Sequence, residues 1–421
     1  MAEFEFRRSR QAAGWLRRKG VVTYGSSLAV LVATPAIQFF TFLLTGRALG
    51  LEAFGTLTLF QSTIAVFVEL AGLGMSEVLI RDVARFRQSY PAALYRLIVI
   101  AVLSSFLAVA LNAASQVYLT KPDGAWLLAA AFGAIEIPGQ RVLIAWEHIG
   151  MAHQNFRFAN AARILPSLAR LASTLVVLAL IGATIENIVL GFMTGTILSS
   201  ILLTAVGVKL FGLPERVQIS GSILTGLPFA LNQTLRAVQG NIDRLIVSVF
   251  LPAGSLAIYV TALKFWQVAM LPISAVLRMA YPIMFSKGQD SRAALRRFSL
   301  RLAVVVLFSA LLMASALFAF AELLPLVMGP DYLASAPLLR LVSFALVPAA
   351  LAYVGADILV GLDRAYWRVG LLTGSVLLQS AALFVLCPMI GLLGAVAALY
   401  ISSTVFAAGS WGFSIWSLNR K

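Results

Sequence analysis

Five polar side chains recur along the stretch 223–250: Thr225, Asn232, Arg236, Gln239 and Asp243. On a helix, residues seven apart nearly superpose and those four apart differ by about 40°, so the five fall within an arc of roughly 60°. The stretch 256–286 repeats the device with Lys264, Gln267, Ser274 and Arg278. A cation at mid-bilayer costs about 2.5–3.5 kcal/mol on insertion scales. Arg236 and Lys264 lie near the middles of their stretches, so they are expected to face a watery cavity, and the ligand suited to them is an anion. Asn232, Gln239 and Asp243 join them as candidate substrate-binding residues, with Arg278 closer to one end. Asp243 has Arg244 beside it and Arg236 two turns back, so it is expected to stay charged. A further stripe, Thr58, Ser62, Glu69 and Ser76, carries one acid and no cation. Burial without a partner disfavours a carboxylate. Glu69 is therefore the expected ion-coupling residue, taking up and releasing a proton or losing a sodium ion; the alternative is a protonated Glu69 hydrogen-bonded between helices.

The elements that must position these residues follow from composition. Of 421 residues, 60% are hydrophobic and 12% charged, with a mean hydropathy of +0.92. Soluble chains carry about 25% charged residues, so this is an all-α polytopic membrane protein. A 20-residue apolar window places twelve spans, at 21–46, 52–78, 94–117, 125–147, 164–182, 187–211, 223–250, 256–286, 299–320, 336–361, 366–387 and 391–416. The uncharged stripe Ser27, Thr34, Gln38, Thr41 and Thr45 lies in the first. Such residues also back-bond to their own helix or join helix pairs.

The charge is lopsided, 32 Lys and Arg against 17 Asp and Glu, for a net +15. With the N-terminus in the cytoplasm, 24 cations fall on cytoplasmic segments (Arg157, Arg163 and Arg170 among them), while Arg47 and Lys121 fall outside. That bias puts both termini in the cytoplasm and accounts for the basic balance without a nucleic-acid partner. The tail at 7–19 is expected on the anionic inner leaflet, with Trp15 and Leu16 dipping in. Cys387 is the single cysteine, which excludes an intramolecular disulfide. His148 and His153 are five apart, a poor spacing for helical ligands, so neither a metal nor a cofactor is expected. The chain lacks a Walker A loop, and Ala71-Gly72-Leu73-Gly74-Met75 sits in no strand–turn–helix context.

Shifting the chain by about 201 residues matches Leu49–Gly55 to Leu251–Ala257, and Ala92–Arg96 to Ala293–Arg297. The expected organisation is a basic tail at 1–20, a six-helix lobe at 21–211, a linker at 212–222 and a second six-helix lobe at 223–421. Even-numbered lobes run the same way, and transporters of that kind carry substrate between them. Pro35, Pro228, Pro272 and Pro282 are expected to interrupt or bend their helices.

Gly46-Arg47-Ala48-Leu49-Gly50 through Phe54-Gly55, and Ala71-Gly72-Leu73-Gly74 followed by Arg81-Asp82-Val83-Ala84-Arg85, carry a family likeness. So do Gly226-Leu227-Pro228-Phe229, Asn241-Ile242-Asp243-Arg244-Leu245, Ala257-Ile258-Tyr259 and Tyr281-Pro282. On these the chain resembles the polysaccharide-transport family of lipid-linked oligosaccharide flippases, in the superfamily that also holds multidrug exporters and lipid II flippases. The resemblance implies a two-lobed bundle in the bacterial cytoplasmic (inner) membrane that alternates between inward- and outward-facing cavities. It would move a polyprenyl-pyrophosphate-linked oligosaccharide to the outer leaflet for O-antigen (lipopolysaccharide), capsule or exopolysaccharide assembly, with a polysaccharide polymerase and chain-length machinery as partners. The chain would then be a transporter and no enzyme. Two alternatives stand beside this: a cation-coupled multidrug exporter of the same fold, disfavoured by the basic stripes, and a membrane glycosyltransferase or polymerase, disfavoured by the short external loops.

Overall fold

The protein, described here from a computed structural model, is defined over residues 2–84, 90–120, 125–219 and 222–419. Its elements are helices: α1 (Ala2–Leu70), α2 (Met75–Ala84), α3 (Tyr90–Leu119), α4 (Ala125–Ala152), α5 (Phe156–Leu180), α6 (Ile185–Phe211) and α7 (Ser222–Phe250). Then come α8 (Ala253–Asp290), α9 (Arg292–Phe320), α10 (Leu324–Met328), α11 (Ser335–Ser343), α12 (Leu346–Gly361), α13 (Ala365–Ile390) and α14 (Leu392–Asn419). No strand occurs among the described residues. The side chains of the 7–19 tail lie outside the described set.

Nine helices among the described residues are long and apolar enough to cross a membrane, or ten if α11 and α12, bent by 41°, count as one span. The reading of twelve needs two further elements. The apolar part of α1, Ala29–Leu70, has 42 residues and would extend roughly 60 Å, about twice a bilayer's hydrocarbon thickness. Gly50 divides it with a non-helical backbone (φ 72, ψ 179), a conformation that suits a residue lacking Cβ. The break expected at Pro35 is absent: helical geometry continues through it, and through Pro228 in α7. The second element is α7, which carries Arg236, Asp243 and Arg244 and is not among the helices that qualify as spans. The span expected at 52–78 is interrupted at Ala71–Gly74, where Leu73 and Gly74 have positive φ. Ser76 therefore belongs to a different helix from Glu69.

The chain forms two compact units, one of residues 1–48 and 60–238, the other of 49–59 and 239–421. In the first, α4 is fastened to α5 and α6 by a carboxylate. Glu136 is fully buried and accepts hydrogen bonds from Thr196 Oγ1 (2.6 Å), Gln140 Nε2 (2.6 Å) and the Arg170 guanidinium. Arg170 also lies over the Phe192 ring at 5.2 Å. It is thus a structural cation inside α5, where the loop tally had treated it as a cytoplasmic charge.

In the second unit, the segment after Gly50 lies against the start of α8. A Cβ on Gly55 would come within 1.8 Å of the Ala253 carbonyl oxygen, so only glycine permits the approach. Phe54 meets Tyr332 edge-on at 6.4 Å, and the Asp357–Arg368 ion pair (2.8 Å) joins α12 to α13.

Candidate functional site

The first unit holds a polar group around the break after α1. Gly72 makes room for it: a Cβ there would sit 2.0 Å from Arg141 Nε. Gly74, at φ +69, lets the Gly226 carbonyl of α7 approach to a point 2.3 Å from where a Cβ would lie. Through this opening Arg141 of α4 reaches across, 5% exposed, donating from Nη2 to Ser76 Oγ (2.7 Å) with Nη1 3.6 Å from Glu69 Oε2. Glu69 was read as a carboxylate without a cation. The structure corrects that premise, because its partner arrives from a helix some 70 residues on. Beside this pair, Glu77 of α2 accepts from Gln233 Nε2 of α7 (3.0 Å) and faces His148 Nε2 of α4 (3.7 Å).

The second unit holds the other group, on the C-terminal part of α7 and the N-terminal part of α8. Asp243 accepts from the Tyr259 hydroxyl at Oδ2 (3.1 Å) and from the Arg244 backbone N–H at Oδ1 (2.9 Å). Tyr259 is fully buried. Arg244 donates from Nη1 to Asn241 Oδ1 (3.2 Å) and lies within electrostatic range of the Lys264 ammonium. Two cations near each other in a membrane helix pair repel, and the Asp243 carboxylate beside Arg244 offsets part of that charge.

Of the candidates read from the sequence, Asp243 and Lys264 lie on α7 and α8 of the second unit, Asp243 against Tyr259 and Lys264 within electrostatic range of Arg244, with Gln239 half-buried and Arg278 exposed on the same two helices. Asn232 and Arg236 are exposed on the part of α7 that belongs to the first unit. Sequence reasoning missed Arg244 and Tyr259, and in the first unit Glu77, Arg141, His148 and Gln233. A signal was present for one of these. Arg141, like Glu136, is a charged residue inside an apolar span, which marks a buried partner.

This arrangement of membrane helices has relatives of known structure. An inward-facing multidrug resistance MATE family transporter of the MOP superfamily superposes with a TM-score of 0.70 at 14% identity, over 93% of this chain and 98% of that one. The lipid II flippase MurJ, in an inward closed conformation, gives 0.73 at 14% identity, over 93% and 87%. A MOP superfamily transporter from Pyrococcus furiosus gives 0.61 at 15% identity, over 94% and 96%. The fold is that of MOP superfamily transporters, and the chain is a multi-pass membrane protein. Residues 44–337 match the family model described as polysaccharide biosynthesis protein, and the chain belongs to that family. A search of curated proteins finds no match.

Proposed function

We propose that the protein is a flippase that moves a polyprenyl-pyrophosphate-linked oligosaccharide from the cytoplasmic to the outer leaflet of the bacterial inner membrane by alternating access. The observation that carries this reading is the pair of neighbouring cations, Arg244 and Lys264, within membrane helices of a polysaccharide-biosynthesis chain. A pyrophosphate is a compact multivalent anion, and paired cations offset its charge where water is scarce. A cationic drug would meet repulsion at the same place. Gln239 and Arg278 of the same unit supply further donors to the phosphates and sugar hydroxyls, and Asn232 and Arg236 are proposed as substrate-binding residues carried by the first unit. Asp243, held by Tyr259, orients the α7–α8 pair. The prenyl chain stays in lipid, so only the headgroup needs a polar path. Both termini lie in the cytoplasm on this reading, and O-antigen, capsule and exopolysaccharide assembly are the pathways such a substrate serves, with a polymerase and chain-length machinery acting downstream.

Depleting the protein tests the proposal. Lipid-linked oligosaccharide is expected to accumulate on the inner leaflet while its synthesis continues. If instead synthesis of the lipid-linked sugar itself stops, or polymer output is unchanged, the flippase reading fails.

A further inference from the structure

We propose that a cavity between α3, α4 and α6 of the first unit holds one acyl chain of an anionic phospholipid, its headgroup resting on the cations at one end. The cavity has a volume of about 440 Å³, within the range of about 300–1,000 Å³ for small-molecule sites. Tyr90, at the start of α3, meets the His153 ring just beyond α4 at 4.5 Å, and near the other end Asn112 of α3 lies against Gly133 of α4. The two helices therefore run antiparallel. The cavity follows them from Leu94 to Val109 on α3 and from Ile149 back to Ala134 on α4, a helical rise of roughly 22 Å on each. Small side chains open it: Ala101 on α3, with Ala134 and Ala145 on α4, leave space where larger residues would pack. Apart from Ser105, Arg141 and Thr204, its lining is apolar.

Apolar walls repel water and forfeit dispersion contacts when unfilled, and a hydrocarbon chain supplies those contacts. The way in is from the bilayer. Ile98, Val102 and Phe106 line the cavity at every fourth residue, and all three are exposed, Phe106 by 73%. The rim thus belongs to the lipid-facing stripe of α3. Size chooses the chain. A methylene fills about the volume of a water molecule, roughly 30 Å³, so the cavity takes about fifteen carbons, one acyl chain or a small part of a polyprenyl chain. Charge chooses the headgroup. At the Leu94, Ile149 and Pro214 end, α6 finishes with Lys209 and the next segment carries Arg216, both exposed. The Glu215 N–H donates to the Pro91 carbonyl (3.0 Å), which fastens that segment to the start of α3. Arg96 of α3 (3.8 Å) shares the Asp82 carboxylate with Arg81 (2.8 Å). Against these four cations stand Asp82 and Glu215, which leaves that end positive, whereas Val109 and Ala134 at the other end are apolar. Basic pockets between membrane helices take anionic headgroups. Arg141 in the wall also reaches Ser76 and Glu69, so the chain lies one side chain from the break after α1.

Trp146 lines the cavity but is only 6% exposed, so quenching of its fluorescence by brominated acyl chains reports a chain inside. Subtracting the emission of Trp146→Phe isolates it from the other tryptophans. The full-length protein is placed in phosphatidylcholine nanodiscs containing a rising fraction of brominated phosphatidylglycerol. Most of the Trp146 emission is expected to be lost at a low fraction, while the same fraction of brominated phosphatidylcholine should leave it largely intact. Each cation near a membrane surface favours an anionic lipid about 5-fold (about 1 kcal/mol), so Lys209→Gln with Arg216→Gln should raise the half-quenching fraction roughly 25-fold. Ala101→Phe should fill the cavity and protect Trp146, whereas Val304→Phe, on the exposed face of α9, should not. An unquenched Trp146 in the wild type, equal quenching by the two brominated lipids, an unmoved half-quenching fraction in the double variant, or wild-type quenching in Ala101→Phe would each overturn the proposal. So would protection of Trp146 by an equal fraction of polyprenyl phosphate, which would assign the cavity to a prenyl chain. No arm requires transport, so the lipid site is judged apart from the flippase reading.

Discussion

The Glu52 carboxylate accepts the backbone N–H of Gly254 at 3.1 Å, across 202 residues of sequence. It does so at the first turn of α8, whose N-cap, Pro252, offers no side-chain bond to the orphan amides there. An acid near a helix N-terminus also opposes the positive end of the helix dipole. The two segments joined are those whose sequences resemble each other, Leu49–Gly55 and Leu251–Ala257. Their closeness depends on Gly55, since any side chain there would enter the Ala253 carbonyl.

Glu52→Ala should destabilise the second unit by about 1.5–3 kcal/mol, the range for hydrogen bonds to charged groups. Glu52→Gln, which keeps an acceptor, should lose less. Thermal unfolding of the purified protein in detergent reads both. Gly55→Ala should be worse than either, with most of the protein lost from the membrane fraction.

The buried carboxylate on α4 makes a second prediction. Arg170→Ala strands Glu136 without its cation and should cost about 3–5 kcal/mol, as breaking a buried pair does. Arg163→Ala removes a cation whose side chain is 40% exposed and paired with Glu147, and should cost about 0–1 kcal/mol. Comparing the unfolding midpoints separates the two. Equal losses would mean that Glu136 is satisfied by Thr196 and Gln140 alone.

For the proposed substrate site, removing a cation that pairs with a desolvated anion should weaken binding by about 2–5 kcal/mol. Lys264→Ala, Arg244→Ala and Arg236→Ala are expected to lose binding of lipid-linked oligosaccharide and polymer output at matched expression. Arg292→Ala, at the start of α9, should behave as wild type. Wild-type binding in both Lys264→Ala and Arg244→Ala would remove the cationic site.

Orientation is checked with reporter fusions. Fusions after Lys121 and Ser255 should report the external side, and those after Ser89 and Gly288 the cytoplasm. An internal signal after Lys121 would reverse the orientation assigned to the first half of the chain.

Much of the architecture is written locally, which is why it could be read. Apolar length marks the spans, and Gly50 falls between the spans expected at 21–46 and 52–78. What a window cannot see is a partner far along the chain. Glu69 looks isolated on its own stripe because Arg141 arrives from α4. The break at Ala71–Gly74 is equally hidden: an apolar run with two glycines reads as continuous helix until Arg141 and Gly226 are placed against it. The prolines mislead in the opposite sense, since α1 and α7 pass through Pro35 and Pro228 with helical geometry. In the candidate site the stripes on α7 and α8 pointed to Lys264 and Asp243, whereas Arg244 emerged only once the two helices were set side by side.

The contact between Glu52 and Gly254 also has a meaning in time. During synthesis at about 5–20 residues per second, the 202 residues between them take roughly 10–40 s to appear. Through that interval the Leu49–Leu59 segment has entered the bilayer ahead of the rest of its own compact unit, its carboxylate still without the amide it will hold. The second unit therefore cannot be obtained from the later half of the chain alone. Residues 223–421 made separately should insert but mature poorly, and supplying a fragment that carries residues 49–59 should restore them.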